Sequence, residues 1–142
     1  MRVGTSGQSR KPRVVVAAVI EDPDGRFLLA RRRPGSHLEG LWEFPGGAME
    51  DGETPAEALA RELDEELGVA VEVDEPLTFA WHRDQTRDVL LLFFRTRVVA
   101  GVPCGREGQE IRWVARGELA DLPAPPADQP LLRVLASSPT RG

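Results

Sequence analysis

The segment from residue 47 to residue 69 reads G-x5-E-x7-R-E-L-x-E-E-x-G-V, and its centre has one comfortable conformation. Thr54-Pro55-Ala56-Glu57 carries three helix-start signals at once. Thr54 can cap the free N–H groups, Pro55 suits the first helical position, and Glu57 completes a capping box. Ala58, Leu59, Leu63 and Leu67 recur at helical spacing, and Gly68 stands where a left-handed terminal residue is wanted. The spacing therefore predicts a helix over Pro55–Leu67, about three to four turns at 3.6 residues per turn.

That helix carries an electrostatic burden. Glu62, Glu65 and Glu66 lie three and four positions apart, so Glu62 shares a face with both. Like charges at this spacing repel, and they sit near the C-terminal end, where the helix dipole disfavours anions. An oxygen-rich cage for Mg2+ or Mn2+ would repay both costs. Arg61 is placed to pair with Glu57 or Glu65 and to hold the loop carboxylate Glu53. Gly46-Gly47 lets backbone approach closely, so a carbonyl there can join the cage. A solvated acidic helix accounts for Glu57 and Asp64, but not for Pro45-Gly46-Gly47 and Glu53 at set distances upstream. The pattern points to divalent-metal chemistry on phosphates.

Other classes are disfavoured. A net charge of −5 argues against polynucleotide binding, which normally shows a basic footprint, but a bound cation would still draw in a mononucleotide polyphosphate. No apolar run is long enough for a membrane span. The single cysteine, Cys104, forms no internal disulfide and fits a reducing cytoplasm. The 142 residues suffice for one domain with a core, and residues 1–12 read as a disordered tail ahead of a domain over 13–142.

Along the chain, residues 13–20 and 26–30 read as strands joined by the Asp22-Pro23-Asp24-Gly25 turn, a hairpin signal. Residues 42–44 and 48–50 read as short extended pieces around the glycine pair. After the helix, residues 70–73, 77–81, 88–99 and 110–114 read as strands, and residues 117–119 as a helical turn. Residues 130–136 read as a closing helix begun near Ala127. Strands on both sides of a central helix, with a second helix at the end, suggest an α/β fold with a mixed sheet sandwiched between helices.

The residues from Gly47 to Val69 resemble, without a break, the signature box of the Nudix hydrolases. Phe27-Leu28-Leu29-Ala30-Arg31-Arg32-Arg33, Leu41-Trp42-Glu43-Phe44-Pro45-Gly46-Gly47, Glu107-Gly108-Gln109 and Pro125-Pro126-Ala127-Asp128-Gln129-Pro130-Leu131-Leu132 extend the likeness to the MutT branch, which sanitises nucleotide pools. The resemblance covers roughly residues 13–136 and implies the Nudix fold. It also implies metal-dependent hydrolysis of (deoxy)nucleoside triphosphates, oxidised or modified ones included, to the monophosphate and pyrophosphate.

By the same resemblance Glu62, Glu65, Glu66 and Glu107, with the Gly46 carbonyl, hold the ions. Glu62 or Glu65 takes the proton, while Arg61 and Glu53 orient the cage. Arg32 meets the phosphates, and Phe44, Arg87 and Asp128 meet the base. From pattern alone Phe44 and Trp42 read as core, Glu107 and Arg87 as surface. Trp81 and His82 stand at a strand end and read as core or rim. The MutT type member carries asparagine where this chain has Asp128. An ionised carboxylate only accepts hydrogen bonds, which favours an edge rich in donors, the amino group of cytosine or the N1–H and N2 edge of a guanine, and departs from the amide that the type member turns toward 8-oxoguanine. The expected partner is a nucleotide, met by a monomer or homodimer. The alternatives are hydrolysis of ADP-ribose or dinucleoside polyphosphates, and a non-catalytic nucleotide-binding module.

Overall fold

The structure, a computed structural model, describes residues 11–83 and 86–138. Ten of the twelve residues expected to form a disordered tail lie outside the described residues. The elements run β1 (Arg13–Val19), β2 (Arg26–Arg31), β3 (Trp42–Glu43), β4 (Gly46–Ala48), α1 (Pro55–Leu67), β5 (Ala70–Arg83), β6 (Asp88–Ala100) and β7 (Ile111–Ala115). A 3-10 turn (Arg116–Asp121) and α2 (Gln129–Ser137) close the chain.

Two sheets form, a four-stranded one ordered β4-β1-β6-β5 and a three-stranded one ordered β3-β2-β7. β1 runs parallel to β6 and antiparallel to β4, so the first sheet is mixed. β1 reads as an almost unbroken apolar run because both of its faces are covered. Val16 and Ala18 join Leu28 and the α1 residues Ala58, Leu59, Leu63 and Leu67 in one core. Ala17 and Val19 join Phe27, Leu29, Phe44, Phe93 and the α2 residues Leu131, Leu132 and Leu135 in the other. The expected α/β sandwich is what forms. All four α1 core residues are fully buried, so truncating Leu63 to alanine would cost about 2–5 kcal/mol.

Four expectations need correction. The Asp22-Gly25 turn closes, with Asp22 N–H donating to Arg26 O at 2.8 Å, but beyond the end of β1 the two arms meet in the isolated Glu21–Phe27 bridge and the bond from Leu28 N–H to Ile20 O rather than in a paired ladder. They then diverge into separate sheets, because each finds longer partners elsewhere. The extended piece expected over 48–50 is instead Gly46–Ala48. A Cβ on Gly46 would strike the Val16 carbonyl, so glycine is what lets this edge strand lie against β1. Residues 70–73 and 77–81 belong to one strand, whose register slips on either side of Pro76. Finally, α2 starts at Gln129 rather than near Ala127, and Asp128 precedes it without capping it through its side chain. Among the described residues no helix is long and apolar enough to cross a membrane.

Candidate active site

Both ends of α1 are secured locally. Thr54 Oγ1 accepts from Glu57 N–H at 3.2 Å, and the Glu57 carboxylate accepts from Thr54 N–H at 2.9 Å. Gly68 ends the helix with φ of 71°, the left-handed conformation that glycine adopts without a Cβ clash. Glu57 is thus committed to the cap. The expected option that it pairs with Arg61 is not what forms.

Arg61 instead organises the loop and the acidic face. Its guanidinium grips Glu53 through two bonds, at 2.6 and 3.0 Å, and donates to Ala48 O at 3.1 Å. Its remaining nitrogen donates to Glu62 at 3.1 Å and Glu65 at 3.3 Å, with Glu50 at 3.7 Å. The planar fork of arginine suits one residue to this many oxygens. Glu53 also accepts from Glu50 N–H at 2.8 Å. The Arg61 hydrogen bond holds the Glu53 carboxyl below its ordinary range. Glu53 is therefore a fully ionised strut between the loop and the helix.

The charges deeper along α1 have less compensation. Burial raises the Glu62 carboxyl, with Glu65 and Glu107 adding to the rise and Arg61 opposing it. Gly47 gives Glu62 its room, since a Cβ there would occupy the carboxylate's space. Glu66 is pushed up to about 8, first by burial and then by Glu62, Glu107 and Glu43. The Gly46 N–H faces the Glu66 carboxylate, yet Glu66 Oε2 is buried and has no hydrogen-bond partner. Gly46 sits in a wide pair opposite Ala17, flanked by the bond from Ala18 N–H to Pro45 O, so its own N–H and carbonyl point away from β1. The Gly46 carbonyl therefore lies on the open side of an edge strand.

A divalent cation fits this arrangement. An unpartnered buried carboxylate oxygen, raised by three neighbouring anions, is what such an ion would satisfy, and its charge would reverse the local field. Among the described residues no three acidic side chains already converge tightly enough to ligate an ion. Arg61 Nη1 gathers one oxygen each of Glu62 and Glu65 around itself, which leaves the second oxygen of each carboxylate outside that fork.

The other half of the site is built from β2, β3 and α2. Arg32 donates to His37 O through Nε and to both oxygens of Glu43 at 3.1 and 3.3 Å through Nη1. Glu43 is raised by burial, with Arg32 opposing. Sequence reasoning gave Glu43 no place in the site. It borders both clusters electrostatically, raising Glu66 on one side and Asp128 on the other. The signal for it was a carboxylate between two aromatics just before the glycine turn. Phe44 is buried and meets Phe93 edge-on, ring centroids 5.6 Å apart. Trp42 is core, with Arg31 and Arg112 over its ring. Trp81 is exposed, and Arg87 is exposed just ahead of β6. Glu107 is exposed on the β6–β7 loop but close enough to raise Glu62 and Glu66.

Asp128 departs from expectation. It is only 4% exposed, and burial followed by Glu43 pushes its carboxyl up to about 8, although the Phe44 N–H faces it and Arg32 opposes the shift. The acceptor-only carboxylate inferred from sequence is not the form that burial favours at neutral pH. A protonated carboxyl donates one hydrogen bond and accepts others, as an amide does.

The comparisons agree with this geometry. The NUDIX domain family matches residues 11–135, so the chain belongs to the Nudix hydrolases. The 8-oxo-dGTP diphosphatase of Haemophilus influenzae is 36% identical over 124 residues, which span 85% of this chain and 89% of that one. The CTP pyrophosphohydrolase of Escherichia coli is 40% identical over 118 residues, spanning 83% and 87%. The solution structure of the Escherichia coli ORF135 protein superposes with a TM-score of 0.77 at 39% identity, covering 92% of this chain and 91% of that one. The chain lies in the MutT-like branch, whose members act as pyrophosphohydrolases. Nudix hydrolases generally need a divalent metal.

Proposed function

We propose that this protein hydrolyses nucleoside triphosphates, deoxy or ribo, to the monophosphate and pyrophosphate with Mg2+, Mn2+ serving as a substitute. The buried, unpartnered Glu66 Oε2 beside Gly46, in a face organised by Arg61, carries the reading. Glu62, Glu65, Glu66 and Glu107, with the Gly46 carbonyl, would hold the ions. When bound, a divalent ion neutralises polyphosphate charge and makes hydroxide available near neutral pH. Glu62 or Glu65 accepts the proton of the attacking water, since both keep an ionisable oxygen at the Arg61 fork. Arg61 and Glu53 hold those carboxylates in position. Arg32 spends Nε and Nη1 on His37 and Glu43, which leaves its Nη2 donors for a phosphate oxygen.

Phe44 and Asp128 would line the base end, and Arg87 would complete it from just ahead of β6. A protonated Asp128 presents a donor and an acceptor, so 8-oxoguanine and cytosine triphosphates are both within its chemistry. The two relatives' substrates bracket the same pair. The reaction belongs in the cytoplasm, a placement that the lone cysteine supports.

A panel of nucleotides assayed with Mg2+, reading pyrophosphate against orthophosphate, tests the reaction. Pyrophosphate from 8-oxo-dGTP, CTP or dCTP is expected. Metal binding without pyrophosphate from any nucleotide would return the non-catalytic alternative.

A further inference from the structure

The last turn of a helix leaves backbone carbonyls without partners inside it. Here the β6–β7 loop supplies them. Cys104 N–H donates to Leu67 O at 3.1 Å, Arg106 N–H to Glu66 O at 2.9 Å, and the Arg106 guanidinium to Asp64 O at 3.1 Å. Gln109 adds a fourth bond, from its side-chain amide to Glu66 O at 3.1 Å.

Gln109 differs from the others because both ends of its side chain are engaged. Its Oε1 accepts from Glu107 N–H at 2.9 Å. One planar amide thus joins the backbone of Glu66 to the backbone of Glu107. The loop is shaped to permit this. Gly108 N–H closes a turn onto Gly105 O at 3.1 Å, and a Cβ on Gly105 would strike the Gln109 carbonyl. Arg33 braces the far side, donating to Glu107 O at 2.9 Å. Glu107 itself is exposed and belongs to a loop, so these backbone contacts set where its carboxylate can reach.

We propose that Gln109 is a positioning residue that fixes the separation of Glu66 and Glu107 by clasping the two backbones, an inference that rests on the metal-holding role given to Glu107. The amide is needed for its two functions. Glutamate of the same size keeps an acceptor for Glu107 N–H but, ionised, has nothing to donate to Glu66 O. Alanine removes both bonds and leaves the Cys104 and Arg106 contacts to hold the loop on the helix. Partners of this kind typically cost about 10–100-fold in metal affinity or activity when removed.

The test is Mn2+ titration calorimetry without nucleotide on wild type, Gln109→Ala, Gln109→Glu, Glu107→Gln and the Glu107→Gln/Gln109→Ala double variant, each checked for folding by circular dichroism. Both Gln109 variants should bind Mn2+ about 10–100-fold more weakly and release pyrophosphate correspondingly more slowly. In the Glu107→Gln background the alanine substitution should cost far less than in wild type, because the Glu66 carbonyl keeps its bond from Arg106 N–H and the separation from Glu107 no longer matters. Wild-type-like Mn2+ affinity in Gln109→Ala, or full additivity in the double variant, overturns the clasp. If wild type binds Mn2+ but hydrolyses no nucleotide, the proposed reaction fails, and the affinity pattern still decides Gln109.

Discussion

Glu66 and Asp128 are both carboxyls pushed up to about 8 chiefly by burial, yet their surroundings differ in kind. Glu66 faces Glu62, Glu107 and Glu43, and one of its oxygens has no partner. Asp128 has one anionic neighbour, Glu43, set against the Phe44 N–H and Arg32. A proton suffices for Asp128. Glu66 lies in a field of three further carboxylates, which one proton does little to relieve and a divalent cation would reverse. The same desolvation thus acts on two carboxyls with different remedies, a cation for one and a proton for the other.

The comparison breaks most readily at Glu66. Glu66→Gln should lower turnover with Mg2+ by more than about 100-fold, beyond the cost of losing an outer partner. It should not destabilise the metal-free chain at pH 9. The folded-state pKa of Glu66 lies above its ordinary 4.5, so the native state binds the extra proton. Wild-type stability therefore falls as pH rises from 4.5 through about 8, and glutamine removes that loss. Urea unfolding at pH 6 and 9, beside pyrophosphate release, checks both halves. Near-normal turnover would remove Glu66 from the metal site.

Arg61→Lys comes next in size. Lysine keeps the charge but cannot grip Glu53 with two bonds while reaching Ala48, Glu62 and Glu65. Turnover should fall about 10–100-fold with KM little changed, since Arg61 orients the acidic face rather than touching substrate. A rise in KM alone would argue that Arg61 contacts the nucleotide.

Asp128→Asn should have the smallest effect at neutral pH and reveal itself on raising the pH. Below about 8 the protonated acid and the amide offer similar hydrogen bonds, so the substrate ranking should shift little at pH 6.5. At pH 9 the wild type is ionised, accepts only, and should lose activity on bases that need a donor, while the variant keeps it. Stability follows the same sign. The Asp128 contribution is complete below its ordinary 3.8 and fades as pH rises through about 8, by up to about tenfold in the unfolding constant per pH unit. A substrate ranking that differs equally at both pH values would mean that Asp128 is ionised throughout.

What was legible depended on the range of the interactions involved. α1 is as its sequence predicts, residue for residue, because Thr54, Glu57 and Gly68 act within a few positions of one another. The acidic face and the Glu53–Arg61 link were legible for the same reason, being spaced along one loop and one helix. The pairing of Arg61 was only half legible, since capping removed Glu57 and left Glu62 as the partner that spacing did not suggest. The hairpin misled because the Asp22-Gly25 turn is local, whereas the choice of β6 and β4 as neighbours of β1 is not. Glu43 stayed hidden because its importance lies in facing both clusters at once, which the strand pattern Trp42-Glu43-Phe44 does not encode.

Sequence by itself determined the helix, its caps, the order of acidic side chains upon it and the family to which they point, because backbone propensity and one-face spacing are properties of neighbours in the chain. Tertiary structure alone decided that Glu66 Oε2 is left without a partner, that burial raises the Asp128 carboxyl, and that Gln109 ties a distant loop to the end of α1. Each of those depends on how much water and how many charges surround a group, and that is settled only when elements far apart in the chain pack against one another.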